Sequence, residues 1–175
     1  MMLENDTILL RAVEPEDLDF LYSCENNTSI WRCGSTTAPY SRFAIKQYIA
    51  DAQNDIYTNK QLRLIICLKT NIKEAIGAVD LFDFDPYHQR ASVGIVIDSI
   101  ENQQHGYAQQ SLQLIEEYAF CFLHLHQLYC SIAAYNKASV ALFEKAGYVK
   151  CGTRKDWLKT ENGFADEIEY QKIRI

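Results

Sequence analysis

The segment from Ala91 to Phe122 constrains the fold more than any other. The run "ASVGIVID", residues 91–98, places Val93, Ile95 and Ile97 on one side and Gly94 and Val96 on the other, which is the alternation of a strand. A polar loop with a single glycine, "ENQQHG", follows. After it Ala108, Leu112, Ile115, Ala119 and Phe122 recur at spacings of 4, 3, 4 and 3, with Gln109, Gln113 and Glu116 outside that stripe, which predicts an amphipathic helix. The first-turn amides of a helix have no intrahelical partner and carry partial positive charge, so a loop in this position can hold a pyrophosphate or simply turn a corner. Gly106 lets the backbone come close to such a group, while Gln103, Gln104 and His105 can point their side chains outward. The patterns GxxxxGK[ST] and GxGxxG are both missing, which removes the two commonest nucleotide loops.

Around this unit, strands and helices alternate. "TILLRAV" reads as a strand, and the following "EPEDLDFLYSC" as a helix with Pro15 in its first turn and Leu18, Leu21 and Tyr22 on one face. Ser41 is placed to cap a second helix carrying Ile45, Tyr48, Ile49 and Ala52. "QLRLIICLK" and "AIGAVDLFDFD" predict a hairpin, and Gly94 in mid-strand marks a bulge or a close backbone approach. A strand "LYCSIAAY", a helix "NKASVALFEKAG", and strands "YVKCG" and "EIEYQKIRI" about a turn at Glu161–Gly163 complete the order. The expected class is mixed α/β or α+β, with a largely antiparallel sheet of about seven strands flanked by helices.

No repeat or linker interrupts this order, so residues 1–175 are expected to form a single domain. A charge of −6, with no stripe of basic residues, argues against nucleic acid and suits a cationic substrate. Six scattered cysteines without a CxxC pair read as buried thiols in a reducing compartment. Neither a signal segment nor an apolar span of about 18 residues occurs, so the expected address is cytoplasmic, with no membrane partner.

In combination, these segments resemble the GNAT superfamily of N-acetyltransferases. "QQHGYA" is similar to that family's Q/R-x-x-G-x-G/A acetyl-CoA loop at Gln103, Gly106 and Ala108. "NKASVALFEKAGY" resembles its N-x-x-(A/S)-x-x-x-(Y/F)-x-x-x-G-(F/Y) segment at Asn136, Ser139, Phe143, Gly147 and Tyr148. The opening "LLRAVEPEDLDFLY", with "ENNTSIW" and "HQRASVGIVI", looks like the branch containing spermidine and ribosomal-protein N-acetyltransferases. The resemblance implies parallel fourth and fifth strands that splay into a V holding coenzyme A. It places the pantetheine arm against backbone groups of Ile95, Val96 and Ile97 and the pyrophosphate on the amides from Gln103 through Gln104, His105, Gly106 and Tyr107 to Ala108. Asn136, Ser139 and Phe143 complete the implied cofactor set, with Asn136 reaching the pantetheine or the acceptor.

The implied reaction is direct acetyl transfer from acetyl-CoA to a primary amine, whether a polyamine, a protein N-terminus or a small amine. An alkyl ammonium, with a pKa near ~10.4, must first lose a proton. Asp80 and Asp83 are the leading carboxylates for the base, Asp80 ahead because it sits inside an apolar run; the competing reading is that Asp83 and Asp85 solvate a strand end. Ser92 stands where many relatives have Glu. The backbone amide of Val96 or a neighbour is a candidate oxyanion donor. Phe143 stands where many relatives use Tyr to protonate the leaving thiolate, and phenylalanine cannot donate a proton; Tyr135, Tyr107 or water is then left for that role, with Tyr135 the first candidate. The alternative reading is a non-catalytic acyl-CoA-binding or sensing module. His124 and His126 lack a third ligand nearby, so no metal site is expected, and no cysteine stands in a nucleophile context. Self-association is left open.

Overall fold

The computed structural model describes residues 3–31, 36–99, 101–103 and 105–174. Its strands are β1 (Ile8–Ala12), β2 (Leu62–Leu68), β3 (Asn71–Asp85), β4 (Arg90–Ile97), β5 (Gln127–Ala133), β6 (Val149–Thr160) and β7 (Gly163–Ile173). They form one sheet in the order β1-β2-β3-β4-β5-β7-β6, antiparallel throughout except for the parallel β4–β5 pair. The helices are α1 (Leu18–Glu25), α2 (Thr28–Trp31), α3 (Arg42–Asp51), α4 (Ile56–Asn59), α5 (Tyr107–Glu117) and α6 (Lys137–Lys145). The α+β class expected from the sequence is the one observed.

Strand alternation sends side chains to two cores. Leu64, Ile66, Val79 and Leu81 face the side covered by α5, whose Leu112 and Ile115 are buried there together with Ala119 of the turn that follows. Ile65, Cys67 and Ala78 face the other side, where Leu21 of α1 and Ile45 and Ile49 of α3 close over them. Ser41 caps α3 as expected, its Oγ accepting the Ala44 N–H at 3.1 Å.

The structure corrects several details. Phe122 is 60% exposed because the helix widens to a π-turn over Tyr118–Phe122, with the Leu123 N–H donating to the Tyr118 carbonyl, and the altered winding carries Phe122 off the apolar stripe. Glu116, expected on the outer face, is buried; its carboxylate accepts Lys172 Nζ of β7 at 2.7 Å, and burial raises its pKa above the usual range. The close backbone approach lies at Gly77, where a Cβ would stand 2.4 Å from the Val96 carbonyl; Gly94 instead leaves room for the Phe82 ring. Of the cysteines, Cys67 and Cys130 are buried and Cys24 is half-buried, but Cys121 and Cys151 are exposed, and Cys33 lies outside the described residues. The short helices α2 and α4 have too few residues to display a helical period and leave no mark in the apolar pattern.

Candidate active site

Strands β4 and β5 pair only at Arg90–Gln127, Ala91–Leu128 and Ser92–Tyr129. From Val93 onward β4 pairs with β3 alone, so the two parallel strands open into a V at their C-terminal ends. Ile95, Val96 and Ile97 lie along this margin and are half-buried. A strand edge of this kind presents amides and carbonyls to whatever extended, amide-bearing group enters the gap.

At the mouth of the V, Gly106 is the N-cap residue of α5, with φ at 79°, a left-handed conformation that glycine adopts without steric penalty. Ser41, Asp55 and Asn136 cap α3, α4 and α6 through their side chains, whereas Gly106 brings no side-chain oxygen to the first-turn amides of α5. Those amides are left to an external anion. Gln103 and His105 are exposed, and His105 stacks on the Tyr107 ring with centroids 5.5 Å apart. Gln104 lies outside the described residues. The edge of β4 and this first turn fit the pantetheine amides and pyrophosphate of coenzyme A. Bound there, acetyl-CoA would supply the activated thioester.

The other wall of the V leads through Ala133 to Tyr135 and Asn136. The Asn136 side-chain oxygen accepts the Ser139 N–H at 3.2 Å, which leaves its amide NH2 as the end able to donate elsewhere. Tyr135 is 42% exposed beside this cap, and Phe143, one helical segment on, is 4% exposed with its ring edge-on to Tyr148 at 5.0 Å.

The face of the sheet opposite α5 is rich in acids. Asp80 accepts Arg63 Nε at 2.7 Å and a second guanidinium nitrogen at 3.0 Å, and Arg63 reaches Glu25 of α1 at 2.6 Å. The Tyr48 ring lies 5.2 Å from that guanidinium, and burial pushes the Tyr48 hydroxyl up to about 12. Gly94 is the register partner of Asp80 on β4, so the strand between Asp80 and the V contributes no side chain at this level. Beyond the V, Ser131 of β5 donates to Glu169 of β7, and Arg154 of β6 spans Glu167 at 2.7 Å and Glu169 at 3.0 Å. Arg63, Glu25, Ser131, Glu169 and Arg154 carry no motif; strand parity, once the register is known, brings the four strand residues to one face, and the packing of α1 over that face brings Glu25 to Arg63.

Thiol chemistry is disfavoured at the buried positions: burial pushes the Cys24 thiol up to about 11 and the Cys130 thiol up to about 12, so neither forms a ready thiolate.

Comparison with known proteins agrees with this geometry. Residues 7–149 match the acetyltransferase (GNAT) domain family. Spermidine N(1)-acetyltransferase of Vibrio cholerae is 30% identical over 148 residues, covering 85% of this chain and 82% of that one. The Escherichia coli K12 enzyme of the same name is 28% identical over 142 residues, covering 81% and 73%. A crystal structure of spermidine N-acetyltransferase from Vibrio cholerae in complex with CoA and spermine matches with a TM-score of 0.84 at 26% identity, covering 97% of this chain and 96% of that one. The chain belongs to the GNAT acetyltransferase family. Its activity is acetyl transfer to an amine with acetyl-CoA as co-substrate.

Proposed function

We propose that this protein acetylates polyamines, with the acceptor entering the V from the acid-rich face while acetyl-CoA occupies the side of α5. The charge of that face carries the reading: among the described residues Glu25, Asp80, Glu167 and Glu169 pair with Arg63 and Arg154, four carboxylates to two guanidiniums beside the point of transfer. A cleft of one sign concentrates substrates of the other. The Vibrio cholerae and Escherichia coli relatives are spermidine acetyltransferases by name, which supports the same acceptor class. Steady-state release of coenzyme A from acetyl-CoA with spermidine, an N-terminal peptide and a small monoamine tests this. Spermidine is expected to give the highest kcat/KM; preference for the peptide would overturn it.

The cofactor contacts in this reading are the backbone of Ile95, Val96 and Ile97, the amides from Gln103 to Ala108, and Asn136, Ser139 and Phe143 as walls of the pantetheine channel. Asp80 is gripped by Arg63 through both of its oxygens. Its contribution is to draw the proton from the acceptor through water. Asp80→Asn is therefore expected to lower kcat at neutral pH more than it weakens coenzyme A binding. An unchanged pH-rate profile would leave Asp80 with the holding of Arg63 alone.

For the departing thiolate the proton donor in this reading is Tyr135. Tyr135→Phe is expected to slow turnover about tenfold, water supplying the rest, with acetyl-CoA affinity kept. Phe143→Tyr, which adds a hydroxyl at a buried position, would then give little gain. A large gain from Phe143→Tyr with no effect of Tyr135→Phe would move the acid position to 143.

We read residues 1–175 as one acetyltransferase domain. No helix among the described residues is long and apolar enough to cross a membrane. The cytoplasmic address is inferred from the free thiols of Cys24, Cys67, Cys121, Cys130 and Cys151. Self-association is supported by a spermidine N-acetyltransferase from Vibrio cholerae described as dodecameric, with a TM-score of 0.78 at 26% identity. Val149 and Trp157 on the edge strand β6, and Phe164 and Ile173 on β7, are exposed apolar groups suited to such contacts.

A further inference from the structure

We propose that Glu169 anchors the remote ammonium of the acceptor and so sets a preference for amines with a second positive charge over monoamines. The proposal rests on the polyamine reading above and names the residue that would enforce it.

Two clusters of acids flank the V on the acceptor face, and they differ in whether an incoming cation can join them. In the Arg63 cluster the arginine side chain is 16% exposed, and its guanidinium is gripped by both oxygens of Asp80 and covered by Tyr48 of α3 and Glu25 of α1. That cluster is closed. In the second, Glu169 sits opposite Ser131 on β5, the strand that forms the far wall of the V, and the Ser131 hydroxyl lies 2.9 and 3.1 Å from its two oxygens. The hydroxyl has one hydrogen and no charge to give, so it orients the carboxylate without neutralising it.

Among the described residues, the only guanidinium in contact with Glu169 is that of Arg154, which it shares with Glu167 and whose side chain is 46% exposed. One cation between two carboxylates leaves a net negative charge at a pair only 14% and 20% exposed, where screening by water is reduced. Arg154 also has a second resting place, since its guanidinium carbon lies 5.2 Å from the centroid of the exposed Trp157 ring. An ammonium arriving from the V can therefore take the Glu169 side of the pair while Arg154 keeps Glu167 and the indole. Ser131 on β5 and Asp80 on β3 face the same side of the sheet, with the bare Gly94 between Asp80 and the gap. An acceptor extended across that gap has its reacting amine at the V and its remote charge at Glu169.

The variants Glu169→Gln and Arg154→Gln give opposite signs if this is correct. Glu169→Gln is expected to lower the ratio of kcat/KM for spermidine to kcat/KM for a monoamine of similar chain length about tenfold, mainly through the KM for spermidine. Arg154→Gln, by removing the competing cation, is expected to raise the same ratio. A purely structural role would lower turnover of both amines together in both variants and leave the ratio where it was, and that result overturns the assignment. The parent protein separates this from the reading beneath it. If it shows no preference for spermidine over the monoamine, the polyamine reading and the Glu169 anchor fail together. If it prefers spermidine and Glu169→Gln keeps that preference, only the Glu169 anchor fails.

Discussion

Replacing Arg63 by leucine is expected to lower the unfolding free energy by about 3–5 kcal/mol, the range found when one partner is removed from a buried ion pair. The change leaves the carboxylates of Asp80 and Glu25 facing each other under α1 and α3 with no cation between them. Leucine fits the apolar part of the site, so lost volume is the smaller effect. Chemical denaturation checks the value. Pairing the change with Asp80→Leu restores part of the loss, because it removes one of the stranded charges; a double variant less stable than the sum of the singles would mean that Arg63 acts through packing and not through charge. The result bears on function because the same cluster forms the near side of the proposed acceptor face and ties α1 to the sheet beside β4.

Gly106→Val is expected to weaken coenzyme A binding about 100-fold, since holding a β-branched residue in the left-handed region costs roughly 1–3 kcal/mol and the loop relaxes away from it. Crowding is not the cause. A Cβ at Gly106 would meet nothing nearer than Gln110 Nε2 at 3.9 Å, so the backbone conformation itself is what glycine supplies. Gly106→Asn is the matching control, because asparagine visits this region with little strain, and it should retain most of the affinity. Calorimetric titration with coenzyme A distinguishes the two variants. Full affinity in folded Gly106→Val would remove the α5 amides from the cofactor site.

The fold was legible because its apolar pattern changes period at each junction. The stripe of Leu112 and Ile115 on α5, continued by Ala119 in the turn that follows, and the alternation of Leu64 and Ile66 on β2 both follow from burial on one side, and all five side chains are buried. Periodicity failed where local geometry departs from the ideal. The π-turn at Tyr118–Phe122 moved Phe122 outward, and Lys172, arriving from 56 residues away, made an interior partner of Glu116. The candidate cofactor loop could be proposed because its motif spacing is fixed along one segment. The proposed acceptor face could not, because its members come from α1, β2, β3, β5, β6 and β7. No short pattern joins Glu25 to Asp80, or Ser131 to Glu169, until the sheet order is known. Asp80 illustrates the difference: its place in an apolar run marked it as unusual, but the reason, Arg63 as its register partner on β2, lay 17 residues away on another strand.

The central claim is that the V brings acetyl-CoA and a polyamine together for direct transfer. Mass spectrometry of the mixture after incubation with acetyl-CoA and spermidine, reading both the amine and the protein, addresses it most directly. Monoacetylated spermidine with the protein mass unchanged is the predicted result. Acetyl-CoA left intact, or an acetyl group retained on one of the cysteines, would contradict it.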